Sequence, residues 1–356
     1  MHGRTTKQWL LGAVALAGAL SACTAQNQIA ANSPTPSPSS AMPWVDMSKL
    51  PAPGRSLAGP SIISVSGGLK TDPDSVGAFR TYCAQSHMAA DDPIVAPGQP
   101  GATHLHTFFG NTGAGASSTA SSLATTGSSS CNGGTLNRSA YWMPSIIDTS
   151  TGTALSANYL TVYYKSGYNG IRRDQIQAFP AGLRMIAGRA MATASDPQVQ
   201  TSEQIFPIAH WTCAGAGGSS GASIPANCGP GGDLVAVVRF PQCWDGLNLD
   251  SADHQSHMSY TVGPAGRGQC PATHPVALPE ISMLFHYVVP PAGAASLRLS
   301  SDMYTGGASG FSLHADWFDG WDRATMQTWI GNCVRNLDCG VDFLGDGRRL
   351  NGMIDR

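Results

Sequence analysis

Short runs of alternating apolar and polar residues, each closed by glycine, proline, asparagine or serine, recur along most of this chain. A period of two is that of a strand with one face buried. It predicts strands over Ser61–Ser66, Thr103–Phe109, Ala140–Ile147, Tyr159–Tyr164, Leu183–Ile186, Leu234–Phe240, Met258–Val262, Ile281–Val289 and Leu297–Leu299. Strands this short and this regularly punctuated give a mainly β fold: a sandwich or barrel-like set of antiparallel sheets joined by long loops. Gly113–Gly134, mostly Gly, Ser, Thr and Ala, reads as a long surface loop pinned at Cys131. One segment departs from the period of two. Met326, Trp329, Ile330, Cys333 and Val334 recur at helical spacing and predict a helix over about 322–335, with Asp322 as its N-cap.

Two stretches at the front carry a different pattern. His2, Arg4 and Lys7 lead into the apolar run Trp9–Leu20, closed by Ser21-Ala22-Cys23. A run this short, ended by small residues, is a secretory signal and not a membrane span. Leu20-Ser21-Ala22-Cys23 resembles a bacterial lipobox, in which the cysteine is lipidated and becomes the new N-terminus; ordinary cleavage near Ala25 is the alternative. Residues 1–22 are thus expected to be removed, leaving Cys23 as a lipid anchor in the cell envelope. From Thr24 to about Met42, Pro34-Thr35-Pro36-Ser37-Pro38 and its surroundings have no apolar periodicity and predict a disordered tether. The folded domain begins at Trp44 or at Ser61; the later start gives a tether over 23–60 and one domain over 61–356.

Composition sharpens this picture. Only 12% of the 356 residues are charged, the formal charge is −2, and glycine contributes 42. Such a chain suits a β-rich extracytoplasmic protein, and without a basic block it has no footprint for nucleic acid. Loss of Cys23 to the anchor leaves eight of nine cysteines, an even number that reads as disulfides in an exported chain. Sequential pairing is expected: Cys83 with Cys131, Cys213 with Cys228, Cys243 with Cys270, and Cys333 with Cys339. No Cys-x-x-Cys pair offers a zinc alternative.

Three stretches concentrate the chemistry. In the strand Thr103–Phe109, His104, His106 and Phe108 share one face while Leu105 and Phe109 point to the core. A His-x-His pair on a strand aims two imidazoles at one point, as a chelate or an acid–base pair. Asp245–His257 is the densest polar run, with Asp253, His254 and His257 together; its spacing is not that of a calcium loop. In the third, His314 and Asp316 share a strand face. His104, His106 and His314 are the expected ligands of a divalent transition metal. His104, His106, Asp253, His254, His257, His314 and Asp316 are the expected catalytic set, if the three stretches meet. Arg184 and Asp245 could bind substrate, and an exposed Trp321 would suit stacking on a sugar. There is no Gly-x-Ser-x-Gly elbow, no His-Glu-x-x-His and no phosphate loop. Glu203 and Glu280 are the only glutamates, so a two-glutamate glycosidase is hard to build.

These residues also carry a family likeness. Asp92-Pro93-Ile94, His104-x-His106, Tyr141-Trp142-x-Pro144 and Phe179-Pro180-x-Gly182-Leu183-Arg184-Met185 occur in order. Cys243-Trp244-Asp245-Gly246-x-Asn248-x-Asp250-Ser251, Asp253-His254-x-Ser256-His257, Cys270-Pro271-x-x-His274-Pro275 and His314-Ala315-Asp316-x-Phe318-x-Gly320-Trp321-Asp322 follow. Together they resemble the DUF1996 family of secreted fungal and bacterial proteins. Phe108-Phe109-Gly110-Asn111 departs from the aliphatic-Gly-Gly usual after the histidine pair in fungal members. The resemblance implies no agreed activity. The leading expectation is therefore a membrane-tethered domain whose His/Asp site binds or cleaves extracellular polysaccharide by imidazole acid–base chemistry, with or without a metal. The competing expectations are a non-catalytic cell-envelope adhesion module and a metal-binding protein.

Overall fold

The computed structural model describes residues 44–66, 76–196, 198, 206–214, 219–305, 309–336, 338–352 and 354. The signal segment, Cys23 and the Pro/Ser tether lie outside these residues. No helix among the described residues is long and apolar enough to cross a membrane.

The two largest of the five sheets among the described residues build the core of the domain. Their strands in chain order are β1 (Ala78–Cys83), β2 (Gln85–Ala89), β3 (His106–Gly110), β4 (Ala140–Pro144), β5 (Tyr159–Lys165) and β6 (Arg184–Gly188). Then come β7 (Ala209–Ala214), β8 (Ser219–Gly221), β9 (Asp233–Arg239), β10 (Glu280–Val288), β11 (His314–Phe318) and β12 (Asp338–Val341). The larger sheet has the order β8-β7-β9-β10-β5-β1-β12 and the smaller β2-β3-β4-β11-β6. All pairings in both are antiparallel except β12 on β1. Both sheets keep open edges, so of the two expected architectures the sandwich is the one formed.

The period of two sets how the sheets stack. Phe79, Leu160, Val162, Tyr164, Ala236, Met283 and Phe285 point inward from the larger sheet. Phe109, Tyr141, Met143, Met185 and Trp317 point inward from the smaller one, in the same apolar cluster. The layers touch directly: the Phe109 and Phe285 rings lie 5.4 Å apart, and the Tyr141 and Tyr164 hydroxyls are 2.7 Å apart. Alternation puts the other residues of β3, β4 and β11 on the outer face, and that face is covered as well. Phe108, Trp142 and Phe318 pack there with Ile94, Ala114 and Leu123 of the 91–126 segment in a second small core.

Several expectations need adjustment. The 113–134 segment is less open than a surface loop: it holds the helix α1 (Ala120–Thr125), capped by Thr119, and many buried residues. From Trp44 the chain belongs to the domain and not to a tether ending at 60. Trp44, Val45 and Leu50 pack on Leu105, Ile147 and Ala154, and Leu57 pairs with Ser129. The helix expected over 322–335 is an α-helix, α2 (Arg323–Trp329), continued by a π turn over Ile330–Val334. Asp322 caps it through the Thr325 amide at 2.8 Å, and its five periodic apolar residues are all buried. Trp321 is not exposed. It is 3% accessible, and its indole N–H donates to the Tyr164 hydroxyl. A ring used up this way in the core cannot serve as a sugar platform.

All four disulfides pair sequentially. Cys83–Cys131 clips the long connection between β3 and β4 onto β1 of the other sheet, closing 48 residues, whereas Cys333–Cys339 closes 6. Loop-closure entropy grows with the logarithm of the loop, so removing the first should cost about 4 kcal/mol and the second about 2 kcal/mol. Urea unfolding of the Cys83→Ser/Cys131→Ser and Cys333→Ser/Cys339→Ser pairs checks this. Equal costs, or a reversed order, would contradict it.

Candidate metal centre

The outer face of the smaller sheet carries the site. Registers place Phe108, Trp142, Asp316 and Ile186 in one row across β3, β4, β11 and β6. One step along the strands, His106 pairs with Pro144 and His314 with Gly188. The two imidazoles thus flank Pro144, which carries no long side chain to fill the space between them, and Gly188 lies beyond His314 on the edge strand. Gly188 has φ +87°, and a Cβ there would stand 2.5 Å from the Leu313 carbonyl oxygen, so only glycine suits the position. His104, just before β3, folds over the row. Its ring centroid is 4.2 Å from His106 and 5.2 Å from His314.

His104, His106 and His314 each offer a ligand atom within 4.8 Å of the others, and so do Asp92, His106 and Asp316. All five residues are buried. Tautomers are fixed from behind. His106 Nδ1–H donates to the Asp91 carbonyl at 2.9 Å and His314 Nδ1–H to the Ser312 carbonyl at 2.8 Å. Each neutral ring therefore presents its Nε2 lone pair, the arrangement in which a second hydrogen bond orients a metal-ligating histidine. Nε2 of His104, Nε2 of His106 and both carboxylate oxygens of Asp316 are buried without any hydrogen-bond partner among the described residues. Asp92 is better supplied: Oδ1 accepts the amides of Ile94 and Val95, and Oδ2 the Trp142 indole N–H.

Burial dominates the electrostatics. It pushes His106 and His314 down to about 4, and His104 well below its ordinary value with help from the neighbouring imidazoles. It drives Asp316 far above the carboxylate range, reinforced by the charge of Asp92. The rings are neutral at physiological pH, as a metal requires, and Asp316 keeps its proton unless a cation takes its place. Three imidazole nitrogens are a donor set suited to a divalent transition metal, and the unpartnered Asp316 stands with Asp92 in a second group that shares His106.

The Asp245–His257 stretch reaches this face through Arg184 on β6. Arg184 pairs with Asp250 at 3.0 Å and lies over the Phe318 ring, and its carbonyl accepts His257 Nε2–H at 2.7 Å. His257 therefore holds the loop to the sheet, and Arg184 is an ion-pair anchor rather than a free anion site. Asp253 and Asp245 are turn residues. Oδ1 of Asp253 accepts the amides of Gln255 and Ser256, and Oδ1 of Asp245 those of Leu247 and Asn248, which takes both out of the expected catalytic and substrate-binding sets. His254 differs. Its φ is +58°, its Nδ1 bonds Asp250 at 2.9 Å, and that bond raises its pKa, with the charge of Asp92 adding to the effect. It is a half-buried imidazole at the margin of the cluster.

Sequence reasoning missed two members. Asp92 stood in the quoted Asp92-Pro93-Ile94 motif but had no role assigned. Tyr304, whose ring meets His104 edge-on at 5.5 Å, had no signal in its surroundings.

An Asp316→Asn variant separates stability from binding. In chelator-stripped wild type the folded state holds a proton on Asp316 that the unfolded chain loses above about pH 4. That group's contribution is therefore complete below pH 4 and is lost as pH rises towards its folded pKa. The stripped variant should melt higher than stripped wild type by a margin that grows above pH 4, while Zn2+ affinity by calorimetry falls roughly a hundredfold. A variant less stable than stripped wild type at pH 7 would contradict the reading.

Neither the curated proteins nor the solved structures contain a match to this chain. The model of the domain of unknown function DUF1996 matches residues 92–321, a span that takes in Asp92, His104, His106, His314 and Asp316, and the chain belongs to that family.

Proposed function

We propose that this is an extracytoplasmic metal-binding domain, holding one divalent transition-metal ion between His104, His106, His314 and Asp316 with Asp92 beside them. One observation carries the reading: buried lone pairs and carboxylate oxygens converge without a protein donor among the described residues. Burying such groups unpaired costs about 1–3 kcal/mol each, which a cation would offset. Four disulfides support an oxidising compartment. The Leu20-Ser21-Ala22-Cys23 motif supports tethering to the membrane by lipid at Cys23.

A second reading makes the centre catalytic towards an extracellular polysaccharide, and His254 favours it. A bound ion would polarise a substrate oxygen. His254, whose pKa the Asp250 hydrogen bond raises, would act as the proton donor beside the cluster. Its left-handed backbone is the kind of strain that collects at working sites. A stacking platform does not support this reading: no Trp or Tyr is fully exposed among the described residues.

Metal analysis of protein purified without chelator should give about one equivalent of a transition metal per chain. Stripping should lower the melting temperature, since a ligand at a hundred times its Kd stabilises by about 2.7 kcal/mol. His106→Ala and His314→Ala should lose the ion and the chelator effect together. A wild-type protein that takes up no Zn2+, Cu2+, Ni2+ or Fe2+ and melts identically with and without chelator would refute the proposal. Under the second reading His254→Ala would keep the metal and lose turnover on a glycan panel.

A further inference from the structure

The opposite side of the molecule holds a second built cavity. On the outer face of the larger sheet, registers line up Arg80 on β1, Tyr163 on β5, Ser282 on β10 and Arg239 on β9 as one row across four strands. Strands lie about 4.8 Å apart, so the two arginines stand some three strand spacings from each other with the Tyr-Ser pair between them, Arg80 reaching to Asp338 on β12 and Arg239 to the Pro207 carbonyl before β7. Lys165 is the next outward residue after Tyr163 on β5. Tyr168 and Phe206 close the sides of a cavity of about 280 Å³.

Its floor is rich in donors. Nε of Arg80, Nε of Arg239 and the hydroxyl of Ser282 are all buried without a hydrogen-bond partner among the described residues, and Ser282 is only 2% accessible. The carboxylates nearby are already engaged: Asp338 by Arg80 at 2.8 Å and Glu280 by Lys165 at 3.3 Å. Arg239 has no ion pair among the described residues; it donates to the Pro207 carbonyl and lies under the Phe206 ring. Among the described residues three cations face two carboxylates, leaving one positive charge over. Buried donors with no acceptor are costly, and an oxyanion brought in from outside would supply acceptors to Arg239 and Ser282, which face each other on neighbouring strands. The space fits one ring, aromatic faces flank it, and a planar carboxylate matches a guanidinium fork.

From this juxtaposition we infer that the face formed by Arg80, Tyr163, Ser282 and Arg239 is a binding subsite for an acidic saccharide, a uronate-type sugar whose carboxylate meets Arg239 and Ser282 and whose ring lies against the aromatic walls. The inference stands apart from the metal centre, which occupies the outer face of the other sheet. It gives the domain a way to recognise an anionic extracellular polymer whether or not the metal centre is catalytic.

Calorimetry with oligogalacturonate, a neutral galactose oligomer of equal length and inorganic sulfate, on wild-type protein, tests it. The uronate should bind, weaken as salt is raised, and protect the amides of β1, β5, β9 and β10 from hydrogen exchange. The neutral oligomer should not bind. Arg239→Gln should weaken uronate binding about tenfold or more, and Ser282→Ala measurably, with the metal content of both variants unchanged. Equal binding of the neutral oligomer, or sulfate binding as tightly as the uronate, would overturn the inference. So would protection confined to residues 245–257, and that outcome is read on wild-type protein, independently of how the variants fold.

Discussion

A carboxylate buried among imidazoles with no hydrogen-bond donor is the constraint around which this domain makes sense. Both oxygens of Asp316 lack a partner, as do Nε2 of His104 and of His106. A fold that needed these residues only for packing would gain by replacing them with apolar groups of similar shape, since unsatisfied buried polar atoms weigh against stability. Their backs are nonetheless held firmly, His106 by the Asp91 carbonyl and His314 by the Ser312 carbonyl. His106, pinned on Nδ1 and bare on Nε2, is prepared for a cation.

The sandwich supplies that preparation. Inward-facing aromatics fix the smaller sheet on the larger, so the strand registers that bring His106 and His314 to either side of Pro144 cannot slide without turning the whole core face outward. The 91–126 segment then covers the outer face with Ile94 and Leu123 and removes the site from water. Low dielectric follows, and with it neutral imidazoles and a carboxyl that yields its proton only to another cation. Cys83–Cys131 ties the end of this cover to the other sheet, which links export and oxidation to the shape of the site.

Much of this could be read from the residues. The period of two marked nine strand segments, and the helical spacing from Met326 to Val334 marked α2, because each has one apolar face and one polar face. The pairing of His104 with His106, and their meeting with His314, followed from strand alternation plus a guess at proximity. Five strands of the two sheets were passed over, among them Ser219–Gly221 and Asp338–Val341, each too short to show a period. In Ala78–Cys83 and Gln85–Ala89 the buried positions include Thr81, Gln85 and Ser86, so polarity hid the alternation. Ala209–Ala214 alternates well but is short and ends among glycines. Trp321 was open to either reading because a tryptophan near a site looks the same in sequence whether its ring faces core or solvent. Asp253 and His257 looked catalytic because a tight turn and a catalytic loop draw on the same polar residues. What separates them is which oxygen meets which amide, and only coordinates give that. Asp92 and Tyr304 come from segments remote in sequence, and no spacing rule connects them to the histidines.

The central claim is that the three imidazoles and Asp316 are ligands. An anomalous-diffraction experiment on crystals grown with Zn2+, collected on both sides of the zinc edge, addresses it most directly. The account predicts one strong edge-dependent peak about 2.0–2.2 Å from Nε2 of each of the three histidines and from an Asp316 oxygen. A map with no peak there, and the Asp316 carboxylate hydrogen-bonded to protein or ordered water instead, would contradict it.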